Sequence, residues 1–153
     1  KTLFPYTTLF RSIAKEAANL VEGVATVRGI KLVVPNKSGI VQGDRDKLLQ
    51  TVLNFLSNAI KFSPDNGTIT ISLRSTGSTV SIYVRDEGPG IPPEFQKKVF
   101  EPFEQVKSGK EKEGVGLGLA ICRMVVEAHH GEIGTNNADD GGPGAVFWFS
   151  LPR

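Results

Sequence analysis

The chain has 153 residues, 39% hydrophobic and 22% charged, with one cysteine and a formal net charge of +2. That length suits a single domain with a real core and is short for two. One cysteine excludes an internal disulfide, and no apolar run approaches the roughly 18 residues that a membrane-crossing helix needs.

Residues 1–12 stand apart from the rest. Thr2 to Ser12 read like the conceptual translation of a widely used short-read sequencing adapter. They are set aside as an assembly artefact fused to the reading frame, the alternative being a native amphipathic strand or linker. Without Lys1 and Arg11 the basic residues fall from 18 to 16, against 16 acidic ones. The net charge is then zero and gives no argument for a nucleic-acid partner. Residues 13–153 are taken as one domain.

From Ile13 to Arg28 the spacing is helical, with Ile13, Ala17, Leu20, Val21 and Val24 on one side. Gly29 stops that helix, and Ile30 to Val34 form a short strand closed by Pro35 and Asn36. Asp44 is placed to cap a long helix reaching about Phe62. Ser63 to Gly67 turn the chain into two alternating strands, Thr68 to Arg74 and Thr79 to Arg85, which form a hairpin. Pro92 and Pro93 open a short helix to about Phe100. Glu104 to Glu113 are polar without an apolar period and read as a solvated loop. A further helix runs from Leu117 to Ala128 and stops at Gly131, with Cys122 on its apolar side as a small buried hydrophobe. Glu132 to Thr135 and Ala145 to Leu151 make a last strand pair. This order predicts an α/β two-layer sandwich: a mixed, mostly antiparallel sheet covered on one face by about three helices.

Three segments carry candidate chemistry. On the long helix, Asn54, Asn58 and Lys61 share one edge with Lys47 and Thr51, while Leu48, Leu49, Val52, Leu53, Leu56, Ala59 and Ile60 fill the opposite half. A wet helix surface would give the same stripe. Asparagine is a mediocre helix former, however, and its oxygen is a hard ligand suited to Mg²⁺. Asp86 ends a strand before Gly88 and Gly90; it is either a solvated aspartate in a tight turn or a carboxylate able to accept from an amino group. Gly114, Gly116 and Gly118 open the last helix as a hinge or as a helix N-terminal anion site. The spacing matches neither the dinucleotide fingerprint nor the P-loop.

Asn54 to Phe62, Asp86 to Gly90, Phe100 to Phe103 and Gly114 to Leu119 together resemble the asparagine, first glycine, phenylalanine and second glycine boxes of sensor histidine kinases. These kinases share the Bergerat-type ATP fold with gyrases, mismatch-repair ATPases and some chaperones. The resemblance implies an ATP-binding catalytic domain. It implies Asn54 and Asn58 as catalytic residues, Mg²⁺ on Asn58, and a nucleotide held by Lys61, Phe62, Asp86, Gly88, Gly90, Ile91, Gly114, Gly116, Leu117, Gly118 and Leu119. Asp86 would read the adenine amine, and residues 104–113 would form a lid. The phenylalanine box is expected to pack. Asn54 falls where hydrolytic relatives carry a glutamate, so fast hydrolysis is not expected. Glu113 replaces a common glycine.

The resemblance further implies transfer of the γ-phosphate to a histidine on a separate dimerisation domain, whose acceptor motif does not occur in this sequence. His129 and His130 are read as helix-terminal surface or packing residues, not acceptors. A downstream response regulator, a homodimeric parent, a monomeric fragment and a cytoplasmic location, with the parent possibly anchored in the inner membrane, complete the expectations. Competing readings are an anti-sigma-type serine kinase, a hydrolytic ATPase module and a degenerate nucleotide-binding module.

Overall fold

The computed structural model describes residues 7–37, 39–103, 118–139 and 142–153. Strand β1 (Thr7–Leu9) leads into α1 (Phe10–Val27), followed by β2 (Lys31–Val33), β3 (Ile40–Gln42) and α2 (Arg45–Phe62). The hairpin β4 (Thr68–Ser75) and β5 (Thr79–Arg85) comes next. After it come two single 3-10 turns, Pro93–Phe95 and Lys98–Phe100, then α3 (Gly118–Ala128), β6 (Glu132–Asn137) and β7 (Ala145–Pro152). Five strands form a sheet in the order β2-β4-β5-β7-β6, in which only β2 and β4 run parallel. The expected α/β sandwich with a mostly antiparallel sheet is what the chain adopts.

Strand alternation decides which face is covered. Ile69, Ile71, Val80, Ile82, Phe147 and Phe149 point to the helices and are buried. On the opposite face Tyr83 pairs with Trp148, and Trp148 with Gly134, whose missing side chain leaves space that the indole ring fills. Phe55 of α2 is wedged between Phe147 and Phe149, with ring centroids 5.6 and 5.9 Å away, and Phe10 meets Phe149 edge-on at 5.5 Å. This aromatic cluster fixes α2 over the centre of the sheet.

Several expectations need correction. Helix α1 begins at Phe10, three residues before Ile13, and the short pair β1–β3 had no signal long enough to read. Leu20 and Val24 are each 60% exposed. Ile13 and Ala17 are buried as expected and Val21 is partly so, and the rest of the buried face is made by Ala14, Ala18 and Ala25 in place of Leu20 and Val24. Thr51 is buried, because α3 covers it. The segment after Pro92 forms two 3-10 turns, not one helix. At the end of α3 the left-handed residue is His130, with φ of 62°, not Gly131.

Asp44 caps α2 as expected, its side chain accepting from the Lys47 N–H at 3.2 Å. The other end of α2 is closed by Arg28, just past the last residue of α1. Its guanidinium donates to the carbonyls of Ile60 and Ser63 and pairs with Asp65 at 2.8 Å. A cation on the last carbonyls of a helix also opposes the negative end of its dipole. Arg28→Ala is expected to lower unfolding free energy by about 2 kcal/mol, because hydrogen bonds to a charged group are lost together. Urea denaturation followed by circular dichroism measures this.

Candidate functional site

Helix α2 is the meeting point of the segments singled out in the sequence. Asn54 and Asn58 lie one turn apart and are both half-buried. Near the middle of the helix, a Cβ on Gly118 would stand 3.2 Å from Asn54 Oδ1, so the first residue of α3 lies directly against that amide. Four residues later the Cys122 thiol reaches the Thr51 carbonyl at 3.9 Å and also interacts with the Asn54 side chain. Burial pushes the thiol up to about 11, so it is protonated and unreactive at neutral pH.

At the C-terminal end of α2, a Cβ on Gly88 would lie 2.6 Å from the Phe62 carbonyl oxygen. The first glycine loop therefore rests on the last turn of the same helix. Lys61 and Phe62 are half-buried there, with the Lys61 ammonium 5.8 Å from the centre of the Phe62 ring. Gly118 near the middle of α2 and Gly88 at its C-terminal end flank the stretch that carries Asn54, Asn58 and Lys61.

Asp86 follows β5 directly and is 4% exposed. One carboxylate oxygen, Oδ1, accepts from the Gly88 N–H at 2.8 Å and the Ala145 N–H at 3.1 Å. Burial raises the Asp86 pKa above the ordinary carboxylate value, and these two donors and the nearby Arg85 offset that only in part. The loop is held further along by Asn137, whose side-chain oxygen accepts from the Ile91 N–H at 2.7 Å and crowds Gly90, which has φ of 81°. The sequence did not single out Asn137, which lies beyond the expected strand 132–135, or give Ala145 any role beyond opening the last strand. Their one signal is the register of β6 with β7, which pairs Asn137 with Ala145.

Leu119 is half-buried against the core. Phe100 packs edge-on to Phe147 at 6.2 Å, as expected of the phenylalanine box. Phe103 does not pack: it is 70% exposed with φ of 66°. Gly114, Gly116, Leu117 and the expected lid lie outside the described residues.

Residues 43–153 match the family described as histidine kinase-, DNA gyrase B- and HSP90-like ATPases. The chain belongs to this family. Among solved structures, this ATPase domain superimposes on the mycobacterial sensor histidine kinase MprB with a TM-score of 0.86 and 32% identity, over 96% of this chain and 97% of that one. The catalytic domain of histidine kinase ThkA gives 0.83 and 30%, over 97% and 96%. ThkA is also known in complex with a response regulator protein, TrrA. The adaptive-response sensory kinase SasA of Rippkaea orientalis (strain PCC 8801 / RF-1) is 39% identical over 120 residues, which are 78% of this chain and 30% of that protein. SasA of Crocosphaera subtropica (strain ATCC 51142 / BH68) is 36% identical over 92% of this chain and 37% of its own length. The chain thus spans about a third of the curated relatives it matches. It is an ATP-binding catalytic domain of the histidine kinase type. Among the described residues no helix is long and apolar enough to cross a membrane.

The raised Asp86 pKa has a consequence for stability. The folded state holds this proton more tightly than the unfolded chain does. Stability therefore falls as pH rises from the ordinary carboxylate range through the folded value. Asp86→Asn keeps an oxygen for the two backbone donors and has no charge to bury. It is expected to raise the melting temperature at pH 7 and to flatten the pH dependence over that range, as read by calorimetry from pH 4 to 8.

Proposed function

We propose that this domain binds ATP with Mg²⁺ and transfers the γ-phosphate to a histidine on a separate dimerisation domain of its parent protein. The observation that carries the reading is that two of the segments meet one helix: Gly118 lies against Asn54, and Gly88, which donates to Asp86, rests on the Phe62 carbonyl. With Oδ1 of Asp86 engaged by two backbone donors, Oδ2 is the oxygen left for the exocyclic amine of adenine. Guanine would set a carbonyl oxygen against the buried carboxylate and leave it unpaired. Lys61 supplies a point charge for the phosphates, and the N-terminus of α3 turns its backbone N–H groups toward them.

The donor set fits Mg²⁺. Among the described residues there is no cluster of His, Cys, Asp and Glu that would favour a softer or more tightly caged ion. Asn58, half-buried and one turn from Asn54, offers a neutral hard oxygen of the kind Mg²⁺ takes beside waters and phosphate oxygens. When bound, the ion neutralises charge on the phosphates. Asn54 orients beside it but has no basic lone pair, so the domain does not activate water. An acceptor imidazole needs no such base: its ring nitrogen attacks phosphorus, a P–N bond forms, and the bond to the ADP oxygen breaks. Positioning and electrostatics supply the rate.

By extension from the ThkA complex, a response regulator receives the phosphoryl group. We place the domain in the cytoplasm, as a monomer when isolated and within a homodimeric parent. Asn58→Ala is expected to lower ATP affinity at least tenfold in Mg²⁺ and little in EDTA, by titration calorimetry. Asp86→Asn should narrow the preference for ATP over GTP. Incubated alone with γ-labelled ATP, the chain should gain no acid-labile label; label on the isolated chain would overturn the separate-acceptor reading.

A further inference from the structure

His129 lies outside the segments that meet at the nucleotide site, yet it is 4% exposed and both ring nitrogens have backbone partners. Nδ1 is 2.7 Å from the Val125 carbonyl one turn back on α3, so Nδ1 carries the hydrogen and donates it. Nε2 is then an acceptor, and it takes the Asp44 N–H at 2.9 Å. Asp44 is the residue that caps α2. The contact depends on the absence of a side chain at Gly43, where a Cβ would lie 2.8 Å from His129 Cδ2 and 2.9 Å from Nε2.

These contacts complete a register. Gly118 stands against Asn54, Cys122 against Thr51, and His129 against Asp44, so α3 descends as α2 ascends, each step matched. The first two contacts give little polar grip: one is a close approach of Gly118, and the other is a weak thiol donor that also meets the Asn54 side chain. His129 provides the firm fixed point. Eleven residues separate it from Gly118, about 16 Å along a helix. A helix anchored at its C-terminal end keeps both its rotation and its axial position, and these decide where the N–H groups of its first turn point.

We propose that His129 is a positioning residue for the phosphate half of the nucleotide site, acting through α3, while the adenine half is held independently by Asp86 and Asn137. The inference rests on the nucleotide-site reading given above. It predicts a selective effect. Loss of the His129–Asp44 contact should weaken ligands in proportion to their phosphates and spare those that mainly occupy the base pocket.

The test compares ATP with AMP, the latter by competition, on the full chain and on two variants. His129→Leu removes the acceptor, and Gly43→Ala keeps the imidazole but displaces it from Asp44, together with the Leu48 side chain that the new methyl also meets. Each is expected to weaken ATP about tenfold and AMP less than twofold, with a cooperative melt retained. Unchanged ATP affinity in both variants, or equal losses for ATP and AMP, would overturn the proposal. Should His129→Leu fail to fold, the same ratio in Gly43→Ala decides. If the unaltered chain binds neither nucleotide, the nucleotide-site reading itself fails. If it binds both and the ratio does not move, only the role of His129 fails.

Discussion

A helix that offers amides and an ammonium to a ligand must be held by everything except the edge it offers. Helix α2 meets this constraint along its whole length. Asp44 and His129 fix its first turn, Phe55 locks its centre into the aromatic cluster on the sheet, and Arg28 binds its last carbonyls. The apolar half of the helix, through Leu48, Val52, Leu56 and Ile60, supplies the burial that makes this anchoring cooperative. The Asn54–Lys61 edge is left half-buried, with Gly118 against Asn54 and Gly88 against the Phe62 carbonyl.

Asp86 illustrates a cost accepted at such a site. Burying a carboxylate is unfavourable, and two backbone donors on a single oxygen compensate it incompletely. The donors come from two different elements, the loop after β5 and the first residue of β7, so the carboxylate also ties that loop to the sheet. Asn137 repeats the arrangement one step along, joining the end of β6 to Ile91.

The sequence disclosed much of this and hid the rest for identifiable reasons. The long helix, its Asp44 cap, the central hairpin and the last strand pair were legible because their periodicity runs over many residues. Strand β3 was not: three residues between two glycines carry no usable alternation. The face of α1 was judged correctly at Ile13 and Ala17 and wrongly at Leu20 and Val24, because hydrophobicity favoured these two over alanines such as Ala18 and Ala25 that the packing buries. At the candidate site, Asn54, Asn58, Asp86, Gly88 and Gly118 were singled out through local pattern. Their supports, Asn137 and His129, act on partners 46 and 85 residues away, and no local pattern reports that.

Trp148 is the only tryptophan, and it projects from the sheet face that carries no helices, seated over Gly134. Helix α2, with the edge that carries Asn54 and Asn58, packs on the far side of that layer. Its emission is therefore placed to report the integrity of the sheet rather than events along that edge. A spectroscopic signal for the ligand has to be built in, while one for unfolding is already present.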